Sequence, residues 1–346
     1  MSEYSQNSDD ASDPEVVRVG LNGFGRIGRN VFRAALDDPR VKLVGINDVM
    51  DREEMAYLAK YDTVMGRLDG LELREDHLTV GDVSVPLLDV QSPAELPWDD
   101  LDVDVALECT GIFRTHEDAE AHVEAGADRV VISAPPKGET PVKQIVFGVN
   151  QEEYDGEAVV SNASCTTNSV TPVAKVLDDA FGIDAGLLTT VHAYTGSQSL
   201  IDGPKGKTRR GRAAAENIVP TTTGAAEATT EILPQLAGKL DGMAIRVPIP
   251  DGSITDLTVD LAGNPDAAEI NDALRTAADG DLAGVLGYTD DEVVSSDVLG
   301  LPFSSYVDLN STRTLPEGGL AKVLTWYDNE YGFSCRMLDL AAYVAG

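Results

Sequence analysis

Cysteine is scarce in this chain of 346 residues: Cys109, Cys165 and Cys335 are odd in number and far apart. That excludes a disulfide framework and points to a reducing compartment, so a cytoplasmic location is expected. Basic residues are also few, 26 against 59 acidic for a net charge of −33, and lysine supplies only nine of the 26. A surface of that sign repels phosphate backbones and anionic lipid, which argues against nucleic-acid partners and membrane surfaces. No apolar run reaches the roughly 18 residues that a membrane helix needs. His, Cys, Asp and Glu nowhere take up metal-ligand spacing, so no metal is expected. The first residues, Met1 to Pro14, are Ser, Asp and Asn without an apolar stretch. They read as a disordered acidic tail over 1–14, neither a signal peptide nor part of a core.

What is present is a chain long enough for about two domains. Val16 to Leu21 is a buried-strand run that feeds Asn22-Gly23-Phe24-Gly25-Arg26-Ile27-Gly28. A helical apolar set at Ile27, Val31, Ala34 and Ala35 follows and ends before Pro39. A second strand, Val41 to Asn47, runs into Asp48. Strand, glycine turn, helix, strand and acid in that order specify a dinucleotide site. Gly23, Gly25 and Gly28 let the backbone approach a pyrophosphate at the helix N-terminus, and Asp48 can accept from ribose hydroxyls. The plainer alternative for Asp48 is an ordinary acid at a strand end. Arg52 to Lys60 suggests a helix, and the rest of 51–90 is turn-rich with strand-like pieces. Val103 to Cys109 is the next strand, with Thr110-Gly111 as its turn, and Glu117 to Ala125 is a helix. Val130 to Ser133, Ile145 to Val149 and Val159-Val160 add three strands. This alternation predicts an α/β, doubly wound parallel sheet over the first 160 or so residues. His77, His116 and His122 have polar surroundings and are expected at the surface.

Val159 to Ser169 carries the chemistry. A β-branched run stops at a Ser/Asn cluster, and Val170, Val173, Val176, Leu177 and Phe181 then follow at helical spacing. Cys165 therefore opens a helix, where unpaired N–H groups and the dipole favour an anion. The thiol pKa is expected to fall, as a nucleophile requires. The competing reading is a small buried hydrophobe. Beyond it the strands lengthen: Leu187 to Tyr194, Met243 to Val247, Leu257 to Leu261, Ser305 to Leu309 and Val323 to Tyr327. With a helix from Gly224 to Leu236, they predict a mostly antiparallel α+β domain starting just after 164. His192, near the end of the first of these strands, is the sole histidine of that half and the candidate base. Lys205, Lys207, Arg209, Arg210 and Arg212 crowd five basic residues into eight positions, against the charge of the whole. Such a cluster answers an anionic ligand or an acidic neighbouring subunit. Thr221-Thr222-Thr223-Gly224 offers hydroxyls and N–H groups to a further anion, or simply caps a helix. Ser334 to Val344 reads as a closing amphipathic helix.

From Val16 to the C-terminus the chain resembles phosphorylating glyceraldehyde-3-phosphate dehydrogenases. Asn22 to Arg29, Ser161 to Asn168, Thr190 to Gly196, Thr223 to Ala226 and Trp326 to Gly332 carry the likeness. The resemblance implies a Rossmann NAD-binding domain from 15–164 with 329–346, a catalytic domain from 165–328, and a homotetramer. Its substrates would be glyceraldehyde 3-phosphate and inorganic phosphate, with Cys165 the nucleophile and His192 the base. Ser164, Thr166, Arg210, Thr223 and Gly224 would hold one phosphate, and Thr195 and Arg246 the other. Gly23, Phe24, Gly25, Arg26, Ile27, Gly28, Asp48, Ser133 and Asn329 would hold the cofactor, Asn329 at the nicotinamide amide. Asp48 and Gly203-Pro204 favour NAD over NADP. Ser169 stands where the family usually has a second cysteine, which leaves the mechanism intact. Erythrose-4-phosphate and semialdehyde dehydrogenases are the neighbouring enzymatic readings, and an NAD-binding scaffold is the non-enzymatic one. The acids spread over the whole chain resemble those of proteins from extreme halophiles, which implies activity that depends on concentrated salt.

Overall fold

The computed structural model describes residues 16–315 and 319–346, so the expected acidic tail lies outside the described residues. The first half runs β1 (Val17–Asn22), α1 (Arg26–Ala35), β2 (Val41–Asn47), α2 (Arg52–Lys60), β3 (Tyr61–Asp62), β4 (Gly66–Arg67), β5 (Glu72–Arg74), β6 (His77–Val80), β7 (Val83–Leu88), β8 (Val105–Glu108), α3 (His116–Glu124), β9 (Arg129–Ile132), β10 (Lys143–Gln144) and β11 (Val159–Ser161). The second runs α4 (Cys165–Phe181), β12 (Ile183–Ala193), β13 (Val219–Thr222), α5 (Ala225–Ile232), β14 (Leu240–Val247), β15 (Ser253–Leu261), α6 (Ala267–Asp279), β16 (Leu286–Thr289), β17 (Ser305–Thr314), β18 (Leu320–Tyr327) and α7 (Tyr331–Ala345).

Two sheets result, of the classes expected. The first has the order β10-β11-β9-β8-β1-β2-β7-β6-β5, parallel from β10 to β7 and closed by antiparallel hairpins at the far edge. From β1 the chain moves to β2 on one side and later to β8 on the other. Their carboxyl ends diverge there and open the crevice in which doubly wound sheets bind ligands. On one face of the sheet, a single core joins Val19 and Leu21 of β1 to Phe32 of α1 and Met55 of α2. On the other, Trp98 and Val130 share a core with Ala119 of α3. Helix α7 returns to the first face, where Met337, Leu338, Leu340 and Ala341 are buried beside α1. Truncating Leu340 to alanine there costs about 2–5 kcal/mol.

The second sheet has the order β13-β14-β12-β15-β18-β17-β16, with β12/β14 and β16/β17 parallel and the other pairs antiparallel. Its core joins Val173 and Leu177 of α4 to Ile270 and Leu274 of α6 and to Leu188, Leu257 and Val323 of the strands. Successive strand residues point to opposite faces. The far face therefore leaves Leu187 and Met243 exposed.

Three local expectations need correction. No strand forms over 145–149; the edge strand is β10, and the following residues turn. Asn150 explains the break, since its Oδ1 accepts from Val146 N at 2.9 Å and its Nδ2 donates to the Gln144 carbonyl at 3.1 Å. Val146 and Val149 then enter the core of the second sheet. The helix expected from Gly224 to Leu236 stops at Ile232, and Pro234 opens a separate 3₁₀ turn because proline cannot donate to the preceding turn. His122 is fully buried instead of exposed. Trp98 Nε1 donates to its Nδ1 at 3.0 Å, and its Nε2 lies 3.2 Å from Glu108 Oε2. A polar sequence context concealed two partners that are distant in the chain.

Candidate active site

The nucleophile's turn is held by its own side chains. After β11, Ala163 takes a left-handed conformation (φ 55°) and is fully buried. A non-glycine residue persists there only when its surroundings impose it. Asn168 supplies part of that constraint by donating to the carbonyls of Asn162 at 2.7 Å and Ser164 at 3.1 Å. Ser164 caps α4, its Oγ accepting from Thr167 N at 3.0 Å, so Cys165 is the first helical residue. Across from it, the end of β12 brings His192 Nε2 to 3.5 Å from Cys165 Sγ. The imidazole is 4% exposed, too enclosed for water to be its ordinary proton partner. On its other side, Nδ1 lies 2.8 Å from the Ala193 carbonyl and 2.9 Å from Arg246 Nη1, which also donates to that carbonyl at 2.8 Å. The Tyr327 ring meets the imidazole edge to face at 5.9 Å. Its hydroxyl is taken up by Thr166 at 3.0 Å and Thr190 at 2.7 Å.

The expectation that helix position lowers the Cys165 pKa is not met. Burial pushes the thiol up, against the pull of Arg246 and of hydrogen bonds from Thr166, since a thiolate sheltered from water loses hydration that these partners only partly replace. Burial, and next the charge of Arg246, hold His192 down at about 3, although the Ala193 carbonyl acts the other way.

The proposed anion ligands gather around this pair unevenly. Arg210 Nε donates to Thr221 Oγ1 at 3.0 Å and Nη1 to Ser197 Oγ at 3.3 Å. Its charge reaches both His192 and Arg246. Thr195 Oγ1 pairs with Ser197 Oγ at 2.8 Å, which places it beside Arg210. Thr223 Oγ1 accepts from Ala225 N at 3.2 Å, and Gly224 is the N-cap of α5 with no side-chain cap and open space where a side chain would stand. Arg246 keeps a buried Nε without a partner among the described residues. Arg212 turns to Asp202 of its own loop at 2.9 Å, whereas Arg209 reaches the Pro220 carbonyl and Lys207 reaches Thr222 Oγ1, both in β13.

The glycine turn fits a dinucleotide. Gly23 (φ 97°) lies so close to the Thr110 backbone that a side chain would collide with it, and one at Gly28 would strike the Gly23 carbonyl. Gly25 instead faces open space and caps α1 with no side chain. The first N–H groups of α1, those of Arg26 and Ile27, are thus left to an anion. Phe24 is fully buried and Ile27 packs on the same core. Asp48 Oδ2 accepts from Phe24 N at 2.6 Å and Oδ1 from Met50 N at 2.9 Å, which holds the carboxylate at the rim of the turn. The Arg26 guanidinium is occupied by ion pairs to Asp62 and Glu330. Ser133, just past β9, donates its N–H to the Glu108 carbonyl at 3.0 Å. Asn329 is 5% exposed and its Oδ1 accepts from Ser253 Oγ at 2.5 Å, while its Nδ2 has no side-chain or backbone acceptor among the described residues. Ser253 Oγ also accepts from Ala193 N at 3.1 Å, so one hydroxyl joins Asn329 to the backbone of the residue that follows His192.

Sequence reasoning missed Tyr327, Ser253, Asp62, Glu108 and Asp251. Glu108 is fully buried, receives Asn22 Nδ2 at 2.6 Å and Thr110 N at 2.8 Å, and so shapes the turn beside Gly23. An acid ending an apolar strand was the available signal. Asp251 is 3% exposed with Oδ2 unpartnered among the described residues, and burial, then the nearby Asp328 charge, push its carboxyl up to about 9.

Comparison with known proteins follows the same division. The family model described as glyceraldehyde 3-phosphate dehydrogenase, NAD binding domain, matches residues 17–116, and that for its C-terminal domain matches 164–329. A glyceraldehyde-3-phosphate dehydrogenase of Haloarcula vallismortis is 65% identical over 332 residues, covering 95% of this chain and 98% of the relative. One from Streptomyces coelicolor is 53% identical over 333 residues and one from Geobacillus stearothermophilus 50% over 332, with the same coverage. The chain belongs to the glyceraldehyde-3-phosphate dehydrogenase family.

Proposed function

We infer that this protein is an NAD-dependent dehydrogenase that oxidises D-glyceraldehyde 3-phosphate to 1,3-bisphosphoglycerate with uptake of inorganic phosphate. The observation that carries this reading is Cys165 Sγ at 3.5 Å from His192 Nε2, at the start of a helix in a chain of this family. Cys165 adds to the aldehyde carbon to give a hemithioacetal, and His192 takes the hydroxyl proton as the carbon is oxidised. NAD, when bound, supplies the acceptor for the hydride. The thioester left on Cys165 keeps the energy of oxidation, and phosphate attacks it to release the acyl phosphate. Ser164, Thr166, Arg210, Thr223 and Gly224 serve one phosphate, and Thr195 and Arg246 the other. The glycine turn, Asp48, Ser133 and Asn329 hold the cofactor. A 2′-phosphate would meet the Asp48 carboxylate, which supports NAD over NADP.

Leu200 and Ile201, in the loop after Thr195, are 81% and 76% exposed; Ile218, just before β13, is 69% exposed and Leu187, on β12, 64%. Apolar surface of this kind marks an interface, and a homotetramer that covers it is the assembly proposed. Three free cysteines support a cytoplasmic enzyme, and reversible chemistry fits both glycolysis and gluconeogenesis. The spread of acids, together with the Haloarcula relative, supports a halophilic protein. NAD reduction with glyceraldehyde 3-phosphate in concentrated potassium chloride, with and without phosphate, tests the function. Phosphate-dependent turnover is expected, and turnover indifferent to phosphate would refute phosphorolysis. Activity and melting temperature are expected to fall on dilution of the salt.

A further inference from the structure

Two acids meet where β15 begins and β18 ends. Ser253 pairs with Tyr327 in the antiparallel ladder of these strands. Asp251 lies just before the first partner, and Asp328 and Asn329 just after the second, so the register brings the two acids to neighbouring positions. Both are buried, Asp251 at 3% and Asp328 at 2% exposed. Asp328 closes the turn that opens α7: its Oδ1 accepts from Glu330 N at 2.9 Å and Tyr331 N at 2.7 Å, and its Oδ2 from Gly300 N at 2.7 Å. Asp251 receives Gly252 N at 2.8 Å on Oδ1, and no donor among the described residues reaches its buried Oδ2. A carboxylate oxygen sealed from water without a donor is costly. The same oxygen bearing a proton needs an acceptor instead, and the Asp328 carboxyl lies within hydrogen-bonding reach. With three N–H groups on Asp328 and one on Asp251, a single proton between them belongs to Asp251.

We propose that Asp251 is a positioning residue that works as a neutral carboxylic acid: its Oδ2–H donates to Asp328 and steadies the turn that carries Asn329 to the cofactor. The inference rests on the role proposed above for Asn329 at the nicotinamide amide. The charged groups around Asp251 favour the proton. Asp328 and Glu330 are the charges that bear on it most, and both are negative. Arg26, the cation beside Glu330, is occupied by Glu330 and Asp62. On the other side, a charge on Asp251 would oppose ionisation of the Cys165 thiol. Burial and these acids push the Asp251 carboxyl up to about 9, in accord with the geometry.

Loss of the proton sets two carboxylates against each other inside the fold. The turn at 328–331 is held by the Asp328 oxygens, so it is the part that yields. Asn329, tied to β15 through Ser253 Oγ at 2.5 Å, shifts with it. The neutral acid thus donates as an amide would, and unlike an amide it titrates.

Infrared difference spectra of the full chain, wild type minus Asp251→Asn, test the protonation. The carbonyl stretch of an un-ionised carboxylic acid is expected at neutral pH and should vanish as pH rises through about 9. Absence of that band overturns the proposal. Binding of NADH, followed by fluorescence in concentrated potassium chloride, tests the positioning. Wild-type affinity is expected to fall above about 9, by up to about tenfold per pH unit. Asp251→Asn, which donates without titrating, should keep its affinity over the same range. Asp251→Ala should bind NADH about tenfold more weakly at neutral pH, the effect of one lost hydrogen bond to a charged group. Coincident wild-type and Asn profiles, or an Ala variant that binds as the wild type does, overturn the positioning role even where the infrared band is present. Stability supplies a third measurement. The unfolded aspartate loses its proton near 3.8 and the folded one at about 9, so wild-type stability should fall between those values relative to Asp251→Asn. A difference in melting temperature that stays constant across that window refutes the retained proton. If Asp251→Ala does not fold, the wild type and the Asn variant decide. Should NAD reduction fail, the enzymatic reading falls while the infrared band and the NADH profile still judge Asp251. If turnover is normal and the profiles coincide, this inference alone is wrong.

Discussion

Two of the four histidines are buried almost equally, His122 at 0% and His192 at 4% exposed, yet their neighbourhoods set them opposite tasks. At His122 the neighbours agree. The Trp98 indole needs an acceptor and the Glu108 carboxylate a donor, so one tautomer satisfies every hydrogen bond. At His192 the neighbours conflict, because Arg246 and Ala193 ask opposite things of Nδ1 while Nε2 faces a thiol. Satisfied polar networks rigidify a fold; an unsettled proton is what a general base needs. Burial alone does not tell a structural histidine from a reactive one, but the demands of its partners do.

The comparison can be broken or sharpened by experiment, beginning with the largest effect. Cys165→Ala is expected to lower NAD reduction by about four orders of magnitude with an unchanged circular dichroism spectrum; residual turnover near wild type would remove the nucleophile from the scheme. Next, His192→Gln should reduce kcat by roughly 10²–10⁴-fold, the range for a lost general base. His122→Ala should do the reverse, keeping kcat near wild type while costing about 2–3 kcal/mol in denaturant unfolding, because Glu108 and Trp98 lose a partner. A large loss of kcat at unchanged stability would erase the contrast between the two histidines.

Acid titration separates them further. His192 titrates at about 3 in the fold against 6.5 for a free imidazole, so the unfolded chain takes up the proton first. Stability should therefore fall as pH drops through 6.5 towards 3, and His192→Gln should flatten that part of the curve. A pH profile identical in wild type and variant would contradict the burial assigned to the ring. The smallest change expected is Tyr327→Phe, which strips a hydroxyl from Thr166 and Thr190 and costs about 1 kcal/mol, measured by thermal unfolding.

Much of the fold was legible in the sequence because it rests on local rules. Gly23, Gly25 and Gly28 between a strand run and a helical apolar set marked the turn and α1, and the Ser/Asn cluster before Val170 marked the start of α4. Where local and long-range demands differ, the reading failed. The apolar run 145–149 looks like a strand, but Asn150 closes it into a turn and Val146 serves the other core. His122 sits among acids in sequence, while its partners are 24 and 14 positions away. The thiol was judged by its place on a helix, and the burial that raises its pKa is a property of the packed fold that a local reading leaves out.

The order of strands and helices, the opening of α1 by glycines, the placing of a cysteine at a helix start and the excess of acid over base were determined by the sequence alone, since each depends on neighbours within a few positions or on a count. Tertiary structure decided the rest. It brought residues 165, 192 and 246 within bonding distance, occupied Arg26 with Asp62 and Glu330, and set a guanidinium against a carbonyl over one ring nitrogen. Burial, Coulomb interaction and proton placement depend on distances in space, and those distances exist only once strands distant in the sequence, such as β12 and β14, have paired.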